Sequence, residues 1–347
     1  MDMRRFAEAQ HLRISRDLGH ALRRIESRAG LATALGALRR LHVDNGFLAH
    51  DDGVVQRWTL VDPQRPQRRL HARYVPRRAL RPGAGAAAPA PQKGAPCALC
   101  GRDLLRIHHY REFGYSLDLA GPLRWIAYPN PYPAMPRHGV VVTDEHLPQD
   151  WIAAAPMASL ATLRTIVAPM LDIAERLPGF VVGFNGIGAG ATQWHRHLQV
   201  FERPSPGHVF PLEQAARDVA PAAQGALIHG THPVTAMRFS GPATTVVDTT
   251  LAWVRGWLER HTSAAESLTA NLIALADHSA GGCHLFFVPR ARQGWRPAPF
   301  GGVPGCIEML GELIVVDEAG RKLLDEGQLD HAAASQWLAT VQTPGLP

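Results

Sequence analysis

The chain has 347 residues, 46% of them hydrophobic and 19% charged, so it can bury one large core or two ordinary ones, which excludes disorder throughout. A net charge of +6 would invite a nucleic-acid partner, but aromatic residues make up only 7% and no basic-aromatic repeat is present. The excess is local: residues 1–82 hold 17 Arg against 8 acidic residues, a net of +9, and residues 83–347 carry a net of −3.

Four cysteines, Cys97, Cys100, Cys283 and Cys306, do not make a disulfide framework at this length. Cys97-Ala-Leu-Cys100 reads as a metal or redox pair, and a reducing, cytoplasmic setting is expected. The N-terminus lacks the apolar stretch of a secretory signal, and no uninterrupted apolar run approaches the length of a membrane span, so no membrane partner is expected.

In chain order, residues 3–42 carry apolar positions at helical spacing, with Gly19, Gly30 and Gly36 as interruptions and the arginines on a solvated face. Residues 54–60 and 69–75 predict two strands around a proline-containing turn. Together residues 1–82 read as a basic N-terminal extension. The Pro/Ala/Gly-rich stretch 83–96 cannot pack a core and reads as a linker. Next comes a unit spanning 97–204: strands at 124–128 and 139–143, a helix near 156–177 with a kink expected at Pro169, and strands at 180–184 and 195–201. Residues 205–347 repeat that grammar more loosely, with a helix at 249–260, a hairpin of 270–276 with 284–289, a strand at 308–316 and a closing helix at 323–341. The fold class expected is α+β, with antiparallel sheets and packed helices in two tandem units, the second degenerate.

The most informative stretch is Asn185-Gly-Ile-Gly188-Ala-Gly190-Ala-Thr192-Gln193-Trp-His195-Arg-His197-Leu-Gln199. On a strand alternate residues share a face, so two imidazoles and one amide point the same way. Glycines just before them let backbone N–H groups approach an anion, and Asn185, Thr192 and Gln193 add neutral donors. A lone strand histidine is more often a satisfied polar residue. Three polar groups on one face beside a glycine turn reverse that balance.

These residues resemble the active-site motif of the histidine-triad superfamily, in its transferase branch, where glutamine replaces the third histidine. That branch includes galactose-1-phosphate uridylyltransferase and diadenosine tetraphosphate phosphorylase. The resemblance implies that His197 is the nucleophile toward the α-phosphorus of a small-molecule nucleotide, and that a phosphate or sugar phosphate then accepts the nucleotide. Neutral imidazole is a competent nucleophile near pH 7, and Gln199 can stabilise a phosphate oxygen without acting as an acid. His-basic-His-Leu-Gln is closer to the dinucleotide phosphorylases; the uridylyltransferases place Pro and Gly where this chain has Arg196 and Leu198. A dinucleoside polyphosphate or a nucleoside-diphosphate compound is therefore the first substrate expected. UDP-hexose exchange is the alternative, and a non-catalytic, zinc-stabilised nucleotide or nucleic-acid binder is the alternative of another class. A homodimer is also compatible with the resemblance.

By spacing alone the Cys97/Cys100 pair supplies half a tetrahedral metal site. In the uridylyltransferases such a pair is completed by a histidine after the second strand and by the first histidine of the motif. Here those are His146 and His195, which implies a structural Zn2+ on Cys97, Cys100, His146 and His195. His108-His109 is a competing donor pair, and two uncoordinated thiols are the plainer alternative. Among further candidates, Arg290 at a strand end can contact phosphate or simply be exposed, and Asn130 can face the base or ribose. His278, Cys283 and His284 read as satisfied polar residues, and Cys306 as a small buried hydrophobe.

Overall fold

The computed structural model describes residues 3–50, 54–81, 97–100, 112–153, 155–261, 267–277, 281–292 and 303–341. The expected linker 83–96, His108, His109 and His278 lie outside these residues. Helix α1 spans Met3–Ala29 and α2 spans Leu31–Asp44. The break falls at Gly30, whose φ of 81° lies in the region open to glycine, while Gly19 and Gly36 stay inside helices. Leu22, Leu31, Ala34 and Leu38 on these helices enter the main apolar core.

Strands β1 (Gln56–Val61) and β2 (Arg69–Tyr74) form an antiparallel hairpin. β2 also pairs in parallel with β12 (Glu312–Val315), closing a three-stranded sheet. The basic N-terminal segment is therefore not an appendage. Its helices share the core of the rest of the chain, and its hairpin is completed by a strand near the C-terminus. Net charge could not reveal this, because the arginines occupy the outward face while the packing resides in the leucines.

The larger sheet has nine strands in the order β3-β4-β5-β7-β6-β10-β11-β9-β8, every neighbouring pair antiparallel. Its strands are β3 (Tyr115–Leu117), β4 (Trp125–Pro129), β5 (Gly139–Thr143), β6 (Phe180–Asn185) and β7 (His197–Glu202). The other half supplies β8 (Ala226–Ile228), β9 (Ala236–Gly241), β10 (Leu268–Asp277) and β11 (Gly282–Ala291). Helix α3 (Pro156–Arg176) joins β5 to β6, and α5 (Ala243–Arg260) joins β9 to β10. Each half thus reads strand, strand, helix, strand, strand. Sheet order runs β4-β5-β7-β6 in one half and, from the far edge, β8-β9-β11-β10 in the other, and the halves meet along β6 and β10.

Residue alternation sends the sheet's side chains into two cores. Val182, Phe184, Leu198, Leu272 and Phe287 pack with Leu163, Val167, Val254 and Trp257 of α3 and α5. Val181, Phe201, Ile273, Phe286 and Val288 pack on the opposite face against α4 (Pro211–Arg217), α6 (Cys306–Met309) and α8 (His331–Ala339). Each fully buried side chain of this size contributes about 1.5–3 kcal/mol, so both layers are needed to hold a sheet that is apolar on both faces. Among the described residues α3 is the one helix long and apolar enough to cross a membrane, yet its apolar residues lie in the first core. It runs through Pro169 without a break in the helix.

Two expectations near the C-terminus need correction. The strand expected at 308–316 is α6 followed by the shorter β12, the chain turning at Gly311 with φ 92°. The single closing helix is instead α7 (Glu318–Asp325) and α8, each started by an aspartate cap: Asp317 accepts from Gly320 N and Asp330 from Ala333 N.

Candidate active site

His197 and Gln199 lie on β7 with side chains on the face opposite α3 and α5, as the alternation with Leu198 and Val200 requires. His195 sits just before the strand, bridged to Pro148. His197 is 4% exposed. Its Nδ1 lies 2.8 Å from the carbonyl of His195; a carbonyl only accepts, so Nδ1 carries the proton and Nε2 the lone pair. Burial, partly offset by that hydrogen bond, pushes its pKa down to about 4, and the imidazole is neutral at pH 7.

Gln149, a fully buried residue absent from the sequence-based candidates, clamps this geometry. Its Oε1 accepts from the backbone N of His197 at 2.7 Å, and its Nε2 donates to the carbonyls of Asn185 at 2.8 Å and His197 at 3.1 Å. It joins the end of β6 to the start of β7. No local pattern marks such a residue, because its partners are backbone groups distant in sequence.

His138, directly before β5, is the second residue missed. Ala134 N donates to its Nδ1 at 3.1 Å, so its Nε2 carries the proton and donates to Oε1 of Gln199 at 2.5 Å. The glutamine's Nε2 is then the amide end left for a ligand. Burial, reinforced by the charge of Arg78, lowers the His138 pKa to about 3.

Arg78 and Arg81 bring positive charge to this place from the N-terminal segment. The former belongs to the short 3-10 turn Pro76–Leu80 and donates to the carbonyl of Tyr132 at 2.9 Å. Burial lowers the pKa of both, Arg81 to about 9, and the buried Glu308 opposes the shift in each. Residues read as a solvated basic extension thus place cations beside the histidine motif.

The glycine turn is held by the second half of the chain. Asn271 of β10 lies in register with Asn185 of β6 and donates through Nδ2 to Asn185 Oδ1 at 2.8 Å and to the carbonyl of Ala189 at 2.7 Å. Asn185 Oδ1 also accepts from Cys306 N at 2.7 Å. Asn185 is therefore a structural tie through its side-chain oxygen. Gly188 and Gly190 have φ of 77° and 92°, and a Cβ on Gly190 would stand 2.6 Å from Gly305 Cα. At Gly190 the missing side chain admits the protein's own backbone, where the sequence pattern pointed to an anion. Thr192 and Gln193 are half-buried on the segment leading to His195.

Arg290, read as a phosphate contact or an exposed arginine at a strand end, is 0% exposed. Its Nη1 donates to Asn271 Oδ1 at 2.7 Å and to the carbonyl of Pro304. Its Nε and Nη2 are buried with no hydrogen-bond partner among the described residues. Burial brings its pKa to about 9. Asn130 uses its side-chain oxygen to accept from Tyr132 N at 2.9 Å, which shapes the proline-rich connection. Cys306 is buried, as expected of a small hydrophobe; Cys283 is buried too, and His284 is satisfied by Ser240 at 2.8 Å and Asp277 at 3.2 Å.

Cys97, Cys100, His146 and His195 converge, with one ligand atom of each within 4.8 Å of the others. Nδ1 of His195 lies 3.6 Å from Cys97 Sγ and 3.5 Å from Cys100 Sγ, and Nδ1 of His146 lies 2.9 Å from Cys100 Sγ. Tetrahedral Zn2+ with bonds of about 2.0–2.3 Å puts its ligand atoms roughly 3.3–3.8 Å apart, so the donor types and both His195–thiol distances fit such an ion, while His146 stands about half an ångström too close to Cys100. His195 Nε2 donates to the carbonyl of Thr143 at 2.7 Å, which turns Nδ1 toward the thiols.

No protein-family model matches this chain, and no curated protein does either. Among solved structures it is similar to yeast Ap4A phosphorylase Apa2 in complex with Ap4A, at 18% identity and a TM-score of 0.57, over 89% of this chain and 98% of that one. The same protein in complex with AMP matches at 17% identity and a TM-score of 0.55, over the same shares of the two chains. The fold is thus similar to that of yeast Ap4A phosphorylase Apa2, and it belongs to the α+β class the motif implied.

Proposed function

We propose that this chain is a nucleotidyltransferase that works by double displacement through His197, moving a nucleoside monophosphate from a dinucleoside polyphosphate to phosphate. The observation that carries the reading is the state of His197: neutral, with Nδ1 bound to the His195 carbonyl and the lone pair on Nε2. Nε2 attacks the α-phosphorus, the N–P bond forms, and the bond to the bridging oxygen breaks with its electron pair leaving on the distal phosphates. A phosphate oxygen of the acceptor then attacks the same phosphorus, and the electron pair of the N–P bond returns to the imidazole. Phosphate leaving groups need little protonation, which suits a glutamine where a proton donor would otherwise stand. The Gln199 amide, oriented by His138, donates to a non-bridging oxygen, and Arg78 and Arg81 offset the developing charge.

Support for the substrate class comes from the His-Arg-His-Leu-Gln motif and from the similarity to a phosphorylase solved with Ap4A. Zn2+ on Cys97, Cys100, His146 and His195 would brace the segment entering β7, a structural role. The assembly of that ligand set favours a second reading, exchange between a UDP-hexose and a hexose 1-phosphate, as in the uridylyltransferases.

Incubation with α-labelled Ap4A without acceptor tests the chemistry: the label should bind about once per chain, be released by phosphate, and be absent from His197→Ala. Turnover by His197→Ala would overturn it. Running the same assay with UDP-glucose and hexose 1-phosphate decides between the two substrates.

A further inference from the structure

We propose a second metal site, for a divalent ion of the zinc type, formed by His71, His208 and Glu312. It shares no ligand with the cysteine-containing set and does not depend on the catalytic reading. The residues come from β2, from the loop after β7 and from β12, and one ligand atom of each lies within 4.8 Å of the other two. His208 Nε2 stands 2.9 Å from Glu312 Oε1, and the two imidazole centroids are 5.5 Å apart. Two N or O ligands on one tetrahedral ion, with bonds of about 2.0–2.2 Å, are separated by roughly 3.3–3.6 Å, so the hydrogen-bonded carboxylate and His208 need to part by only about half an ångström to admit it.

The surroundings are those of an oriented ligand set. Glu312 is 0% exposed and its other oxygen is held by Arg73, which leaves Oε1 as the oxygen facing the imidazoles. Arg203 Nη1 donates to the backbone carbonyl of His208 at 2.8 Å, fixing the loop, and the Thr59 hydroxyl lies 3.4 Å from His71 Nδ1. Among the described residues no hydrogen bond joins His71 to either partner; the parallel register of β2 with β12 sets it beside Glu312. Two imidazoles and one carboxylate suit Zn2+, Co2+ or a related borderline ion and leave a coordination position open. His71 also lines a cavity of about 880 Å3, which gives the ion a route from solvent. Bound there, the ion would cross-link the N-terminal hairpin, the chain leaving the catalytic strand and the C-terminal strand, three segments that meet nowhere in sequence.

The test is a Co2+ titration of the full chain carrying Cys97→Ser and Cys100→Ser, read by optical absorption and metal analysis. One ion per chain is expected, with d–d bands but no thiolate-to-cobalt charge-transfer band. Adding His208→Ala or His71→Asn should weaken that ion at least about 100-fold. Should the serine variants fail to fold, the intact chain serves: cobalt uptake should continue by one ion after the thiolate band saturates, and His208→Ala should abolish that increment. No thiolate-free ion, or one indifferent to both histidine substitutions, overturns the site.

Discussion

Nε2 of His138 donates to Oε1 of Gln199 at 2.5 Å, and this contact decides which end of the glutamine amide a substrate meets. The backbone N–H of Ala134 fixes the histidine tautomer, so the orientation follows from a group that cannot reverse its role. With the carbonyl end occupied, only the NH2 end remains to meet a phosphate oxygen. His138→Phe should therefore lower kcat about 10- to 100-fold with a smaller change in KM, because a mis-turned amide loses a contact that matters most in the transition state. Gln199→Glu should cost about 10²- to 10³-fold by setting a carboxylate against phosphate. Steady-state kinetics on the two variants checks both; an unchanged kcat in His138→Phe would dismiss the positioning role.

Buried neutral histidines set an acid limit on stability. Burial lowers His138 to about 3 and His232 to about 4 from an ordinary 6.5. Below pH 6.5 the unfolded chain takes up protons that the folded chain refuses, so the unfolded state gains. Stability is whole above pH 6.5 and should fall by about 1.4 kcal/mol per pH unit for each of these histidines as pH drops toward 4. Denaturant unfolding followed across that window should show the slope, and His232→Gln should reduce it. A flat profile would contradict the burial argument.

Asn271 spends its whole side chain on the seam between the halves. Replacing it with Ala leaves the buried Arg290 without one of its two partners and frees Asn185 Oδ1 from a donor. A loss of about 2–4 kcal/mol is expected in chemical denaturation, together with reduced activity, since Ala189 in the glycine turn loses the same support. Loss of stability with full kcat would show that the turn does not transmit the change.

Metal removal should act on the segment before β7. Chelation, or Cys97→Ser, is expected to lower Tm by several degrees and to slow turnover indirectly, because His195 lends its backbone carbonyl to His197 while its ring belongs to the metal set. Thermal unfolding with and without chelator, followed by Zn2+ readdition, measures this. Cys283→Ala, whose thiol is remote from that set, is the control that should keep the chelator response.

Patterns of neighbouring residues were legible in the sequence alone. Period-two alternation put His197 and Gln199 on one face, helical spacing placed α3, the two-residue gap paired Cys97 with Cys100, and the motif named the fold class. These features depend on geometry within a few residues, which composition and spacing record directly. Only tertiary structure decided the rest. Gln149, His138, Arg78 and Asn271 act through partners far away in the chain, and nothing beside them in sequence distinguishes them from satisfied polar residues. Arg290 lies at a strand end whose burial depends on what packs over it, and Asn185 holds backbone where the motif suggested a ligand. The N-terminal segment shows the limit most plainly: its +9 charge is a property of side chains counted one by one, whereas its place in the core depends on which face meets the sheet.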